Sequence, residues 1–284
     1  AGKTILTRFV ESCENTLLNP GGRLAIVIVN SLRELAQSWC DAPGMKLVRN
    51  VEAKSHSVFI FEKPQASGKT EVRDGPAPYG IPIETRMGKL GLYERTSGLR
   101  RIGRYDCPAC GYWGLPEFDT NGFFTDLAVE ALERASAGSL VRDFMVVEPG
   151  IGLAAIWAAK VFGPARVHAV SRDLLSLSAT GANLKKSLQP GAGPEYLPYE
   201  MGELSDLPET RIDSILIFPD PIPEFDYIAP LWNQVMHCTK RGSGVTIVTT
   251  ATIASRVEKI RPKGIRRLGE KKRKGYTALF YIRE

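Results

Sequence analysis

Three short stretches of the 284-residue chain hold residues whose types and spacing could do chemistry. Residues 148–152 read EPGIG, directly after the apolar run FMVV. Gly150 and Gly152 let backbone approach a ligand at the carboxyl end of a strand, and the helix that follows offers free N–H groups. Position 155 is Ala, where a dinucleotide fingerprint has its third glycine, and Glu148 puts a carboxylate in the turn. A negative charge there suits a cationic ligand better than a pyrophosphate. Residues 218–221 read FPDP at the end of the run RIDSILI. Asp220 lies between two prolines, which fix the backbone and leave few donors nearby, so its carboxylate could accept a hydrogen bond from an amine. Residues 107–110 read CPAC. Zinc sites with four ligands need two such pairs, and the sequence has one, so Cys107 and Cys110 are weak metal candidates beside the plainer reading of buried thiols at a turn.

The elements that must position these residues alternate between strand and helix. Helical spacing covers 122–135, 153–162, 174–187 and 227–238, and apolar strands cover 143–147, 165–171, 211–218 and the run from Ser243. Two last strands, RRLGEKK and YTALFYIR, join around Lys274-Gly275 as a hairpin. The fold class this predicts is α/β: a Rossmann-like parallel sheet covered on both faces, with a C-terminal antiparallel hairpin.

A repeat extends the reading to the start of the chain. The run LAIVIV at 24–29 reads as a strand buried on both faces. It falls on VTIVTT from Val245, with Val27 on Val248, and at that offset of 221 HSVFIFEK (56–63) falls on TALFYIRE (277–284). The match runs ungapped for about sixty residues, as expected of two related domains. Residues 1–63 therefore read as the back half of a domain whose front half is missing, supplied by another chain if this one is not a fragment. Residues 64–82, rich in Gly and Pro, read as a linker, and 83–284 as a complete domain.

Composition bounds the rest. No apolar run approaches the roughly 18 residues of a membrane span, and no signal peptide is visible. Five cysteines, an odd and sparse set, fit a reducing, cytoplasmic setting, with a mitochondrion or another organelle as the alternative. The net charge of +6 mildly favours an anionic partner such as RNA. Arginines at 95, 100, 101 and 104, near Tyr112, Trp113 and Phe118, and a basic run from Lys259 to Lys274, are candidate phosphate and base contacts. The second run reads equally as a solvated face protecting a strand edge.

An acidic residue before a G-x-G turn at the end of a first strand resembles the first motif of class I S-adenosylmethionine-dependent methyltransferases. Their C-terminal hairpin is similar too. More closely, AGKTILTRFVESCENTLLNPGGRLAIVI at 1–28 and GFFTD at 122–126 resemble the tandem-domain ribosomal RNA guanine-N2 methyltransferases of the small-subunit type. That resemblance implies S-adenosylmethionine held by Glu148, Gly150 and Gly152, with Phe124 and Thr125 close by. It implies a ribose-binding acid after the second strand, where this chain has Ser171 with Asp173 two residues on, and an adenine contact at Glu200. It implies base recognition by Phe218, Pro219 and Asp220 and an RNA substrate. Active members read Asn-Pro-Pro-Phe where this chain reads FPDP, so the amide is replaced by Phe218.

Two alternatives stand beside a base-amine methyltransferase. FPDPIP at 218–223 also resembles the Phe-Pro-Asp-Pro-Trp-Pro of transfer-RNA guanine-N7 methyltransferases, although the basic run that follows there is absent. The loss of the amide and the displaced acid equally suit a catalytically decayed protein of this fold acting as an RNA-binding or ribosome-associated subunit.

Overall fold

The computed structural model describes residues 9–10, 13, 18–34, 45–64, 90–136, 138–189, 191, 193–200, 211–219 and 226–284. Contacts divide the chain into two units, Ala1–Ile81 and Pro82–Glu284. All of the expected linker except Pro64, and most of residues 1–17, lie outside the described residues.

The first unit contains β1 (Arg23–Val29), β2 (Lys46–Glu52) and β3 (His56–Glu62), an antiparallel sheet ordered β1-β3-β2. Phe59 and Phe61 of β3 are buried with Val10, and Leu24, Ile26 and Ile28 of β1 pack against them. The expectation that β1 is buried on both faces is not met. Its burial alternates, with Val27 66% and Val29 40% exposed. Among the described strands β1 has a neighbour on one side only, so one face carries the packing.

The second unit opens with a two-stranded hairpin, β4 (Glu94–Ile102) and β5 (Tyr105–Tyr112). CPAC lies within β5 and is not the turn the sequence suggested. Cys107 and Cys110, three apart on a strand, leave opposite faces and cannot close on one ion. Among the described residues no group of three or more metal-binding side chains occurs. Then follow α1 (Phe123–Ala135), β6 (Asp143–Val147), α2 (Leu153–Val161), β7 (Arg166–Ser171), α3 (Leu174–Ser187), β8 (Glu195–Glu200), β9 (Ile212–Ile217), α4 (Leu231–Cys238), β10 (Thr239–Thr250), α5 (Ala251–Lys259), β11 (Ile265–Arg273) and β12 (Tyr276–Arg283).

Their seven-stranded sheet runs β11-β12-β10-β9-β6-β7-β8. From β10 to β8 the strands are parallel, and β12 runs antiparallel to both β10 and β11. Period-two side chains build two cores. Phe144, Val146 and Leu216 pack with Leu127, Ile156 and Leu177 on one face, and Met145, Ile215 and Ile217 with Trp232 and Val257 on the other. Helix α4 begins at Leu231, later than expected, because Asp226 Oδ1 accepts the N–H groups of Ile228 and Ala229 and Pro230 occupies the N-cap.

The two units share a detail of strand pairing. A bulge interrupts β2–β3 at Val48 and β11–β12 at Leu268, 220 positions apart. Val58 lies opposite Val27 and Ala278 opposite Val248, which matches β3 to β12 at 220 but β1 to β10 at 221. The match therefore needs one gap between its first and second strands, and the ungapped alignment is corrected to that extent.

Candidate active site

A cavity of about 470 Å³ opens at the carboxyl ends of the parallel strands of the second unit, a size typical of small-molecule sites. It sits where strand order reverses, between β6 and β9, so loops leaving in opposite directions separate and leave a crevice. Glu148 and Gly150 after β6 line it, as do Phe218 and Pro219 after β9. The backbone N–H of Glu148 donates to Val170 O (2.8 Å) and that of Phe218 to Val147 O (3.1 Å), which fixes both loop roots to neighbouring strands.

One end of the cavity is acidic. Glu148 has φ 55°, a left-handed conformation that costs a non-glycine residue roughly 1–3 kcal/mol. Its Oε2 accepts a 2.6 Å hydrogen bond from Ser171 Oγ, and Arg172 Nε lies 3.8 Å from Oε1. Ser171 is fully buried and accepts the N–H of Asp173 at 3.0 Å. Asp173 caps α3 through Oδ1, which accepts the Leu175 N–H at 2.8 Å, and still lines the cavity. The acid expected after the second strand is thus present two residues late, tied to Glu148 through Ser171. Ser176, also lining, donates to Gly150 O at 3.0 Å and pins the glycine turn.

The other end is aromatic. Phe124 from the first turn of α1 meets Phe218 edge-on at 5.5 Å and Tyr276 at 5.8 Å between centroids. Tyr276 comes from the hairpin turn, where Lys274 and Gly275 both have positive φ, as a two-residue hairpin loop requires. The turn is held to α1 by Lys271 and Arg273 on Glu130, and Lys274 lies over the Phe123 ring. Thr249 and Thr250 at the end of β10 and Ile253 of α5 complete this side.

The third wall is the loop Gly114–Pro116 after β5. A Cβ on Gly150, itself at φ 60°, would lie 3.0 Å from Pro116 Cγ, so the glycine lets loop and turn close on each other. This wall, Ser176, Tyr276 and the threonines escaped the sequence reading. The hairpin that carries the loop had one legible signal, the two-residue connection Gly103-Arg104 between Ile102 and Tyr105.

Other singled-out residues serve the fold. Gly152 (φ 83°) packs against α3, where a Cβ would lie 2.9 Å from Thr180 Cα, and does not line the cavity. Thr125 is buried with its hydroxyl on Glu117 Oε2 at 2.9 Å. Glu200, exposed at the end of β8, pairs in register with Ser171 but is not a lining residue. Asp220 lies outside the described residues. Cys110 is buried, with Lys186 Nζ 2.9 Å from its sulfur.

The first basic cluster is largely committed internally. Arg95 pairs with Asp119 and lies 3.8 Å over the Trp113 ring, which stacks on Phe118. Arg100 is buried and donates to Asp119 O (2.6 Å) and Phe118 O (3.0 Å), and Arg101 pairs with Asp106. These aromatics brace the loop that carries the third wall. In the second cluster, Arg261, Arg266, Arg267, Lys271, Lys272 and Arg273 all have carboxylate partners.

No protein-family model and no curated protein matches the sequence. Among solved structures, the chain is similar to the 16S rRNA guanine N2 methyltransferase RsmC of T. thermophilus, solved with AdoMet and guanosine. The TM-score is 0.64 at 18% identity, over 99% of this chain and 69% of that one. It is also similar to yhhF of Escherichia coli, provisionally assigned as a methyltransferase, with a TM-score of 0.51 at 16% identity over 66% of this chain and 99% of that one. A provisionally assigned SAM-dependent methyltransferase of Streptococcus mutans gives a TM-score of 0.50 at 12% identity, over 66% of this chain and 55% of that one. The common element is the fold, which is that of class I methyltransferases.

Proposed function

We propose that the chain is an S-adenosylmethionine-dependent methyltransferase acting on a base amine in RNA, with guanine N2 of ribosomal RNA the favoured target. The observation that carries this reading is the two-ended cavity at the switch point, with carboxylates on one side of Gly150 and an aromatic cluster on the other. The residues present fit the cofactor. Gly150 leaves a cradle that a Cβ would fill, Glu148 supplies a carboxylate for a cationic amino-acid end, and Asp173 is within the lining for ribose hydroxyls. The bound cofactor would supply an electrophilic methyl group on sulfur.

The chain's own part is orientation. Nucleophilic nitrogen needs placement more than a strong base, and effective concentration is the main gain available. The rings of Phe124, Phe218 and Tyr276 offer faces and edges to a planar base, and Asp220 beside Pro219 would accept the amine's hydrogen bond. RNA is drawn to the basic run from the end of α5 to the hairpin turn, where Lys259 and Lys263 have no carboxylate partner among the described ion pairs. The matched strand pairings support the first unit as a relative of the second. The reading is tested by titrating the protein with S-adenosylmethionine and assaying methyl transfer to ribosomal RNA. Absence of binding at millimolar cofactor overturns it.

A second reading, an RNA-binding subunit without catalysis, is favoured by one observation: Phe218, where the related enzymes keep an amide, turns a ring edge-on to Phe124. Cofactor binding and RNA binding without transfer would select it.

A further inference from the structure

Glu117 stands out as a half-buried acid that the cavity chemistry does not use. It has φ 62°, one of three described non-glycine residues with positive φ. Its Oε1 accepts the backbone N–H of Gly122, the N-cap of α1, and its Oε2 accepts the Thr125 hydroxyl at 2.9 Å. Pro116, its neighbour, forms the third cavity wall, and Phe124, between its two partners, forms the aromatic one. Gly122 is confined by the same contacts. A Cβ there would lie 2.5 Å from the Phe124 ring and 3.0 Å from Glu117 Oε1.

We infer that Glu117 is a positioning residue for the cavity, fastening the Gly114–Pro116 wall to the end of α1 that carries Phe124. This rests on the cavity being the cofactor site. Both partners donate to the carboxyl, Gly122 through its backbone N–H and Thr125 through its hydroxyl. Ionised, it keeps the contacts but leaves a charge out of water. Burial pushes the carboxyl up to about 7, against the pull of the Gly122 and Thr125 hydrogen bonds. Of the charges facing it, Arg100 from β4 lowers that value and Asp126 from α1 raises it, while Arg100 is already spent on loop carbonyls. The fastened wall therefore binds a proton more tightly than a loosened, solvated one, and linkage makes loosening easier as pH rises through 7.

Hydrogen exchange of residues 113–125, corrected for intrinsic rates, reads the fastening without any ligand. Between about pH 6 and about pH 8.5, protection in the wild-type protein should fall by roughly tenfold relative to Glu117→Gln, whose amide reproduces the neutral acid at every pH. Thr125→Val, which removes one partner only, should lower protection at both pH values. Parallel profiles for wild type and Glu117→Gln overturn the inference, as does weaker protection in Glu117→Gln at high pH. Titration with S-adenosylhomocysteine should follow the same order, Glu117→Gln binding more tightly than wild type above pH 7. If wild type binds none while the exchange pattern holds, the cofactor reading falls and the positioning role stands.

Discussion

Ser171 Oγ donates a 2.6 Å hydrogen bond to Glu148 Oε2 while accepting the Asp173 N–H, so one buried hydroxyl sets two acids at the same end of the cavity. Ser171→Ala should weaken cofactor binding by roughly tenfold, the effect of one hydrogen bond to a charged group, with little loss of stability. Calorimetric titration checks it, and unchanged affinity would show that this hydrogen bond does not prepare the Glu148 carboxylate for binding.

The two glycines of the turn should separate by phenotype. Gly150→Val puts a branched side chain against Pro116 at φ 60° and should abolish cofactor binding in a folded protein. Gly152→Ala presses on Thr180 in the α2–α3 interface and should cost about 1–3 kcal/mol in denaturant unfolding. Equal effects of both on binding would count against the cavity as drawn.

Stability should depend on pH through Glu117. Its carboxyl titrates near 7 when folded and near the ordinary value when unfolded, so the penalty is absent below about pH 4.5 and complete above about 7. Glu117→Gln should match wild type near pH 4.5 and exceed it by about 3 kcal/mol above pH 7. Urea midpoints across that range provide the measurement, and a constant difference would refute it.

Asp220→Ala should slow methyl transfer by roughly 10- to 150-fold with unchanged cofactor affinity, if its hydrogen bond tightens in the transition state. Asp220→Asn should retain more activity than Ala. Single-turnover rates distinguish these outcomes from loss of stability alone.

The basic run from the end of α5 to the hairpin turn should set a salt dependence. Replacing Lys259, Lys263 and Lys274 together by alanine should reduce the slope of log affinity for single-stranded RNA against log salt by about 2, from three lost phosphate contacts. An unchanged slope would leave these lysines as edge protection only.

Much of the frame was legible because its signals are local. Helical spacing set α3 to the residue, β-branched runs marked β6, β7 and β9, and Lys274-Gly275 marked the hairpin turn. EPGIG located one wall of the cavity, since a glycine turn after a strand has few other uses. The hairpin β4–β5 was missed because Pro108 and two glycines break its alternation, and Gly111 is there to admit the Phe118 carbonyl at close approach. The one-residue gap in the repeat was invisible because β12 is buried at consecutive positions from Thr277 to Tyr281, so a slip of one residue leaves the apolar match intact.

The site itself was decided by tertiary structure. By sequence alone, Gly150 and Gly152 are equivalent, and only packing gives one to the cavity and the other to Thr180. Ser171 reads as a lost acid until its hydroxyl is seen on Glu148. Phe124 and Tyr276 lie far apart in the chain and share a wall because β12 is inserted between β10 and β11. Periodicity and turn chemistry act over a few residues and therefore fix elements. A cavity assembled from loops, strand ends and a hairpin turn depends on strand order and on which buried groups find partners, and those are properties of the folded sheet.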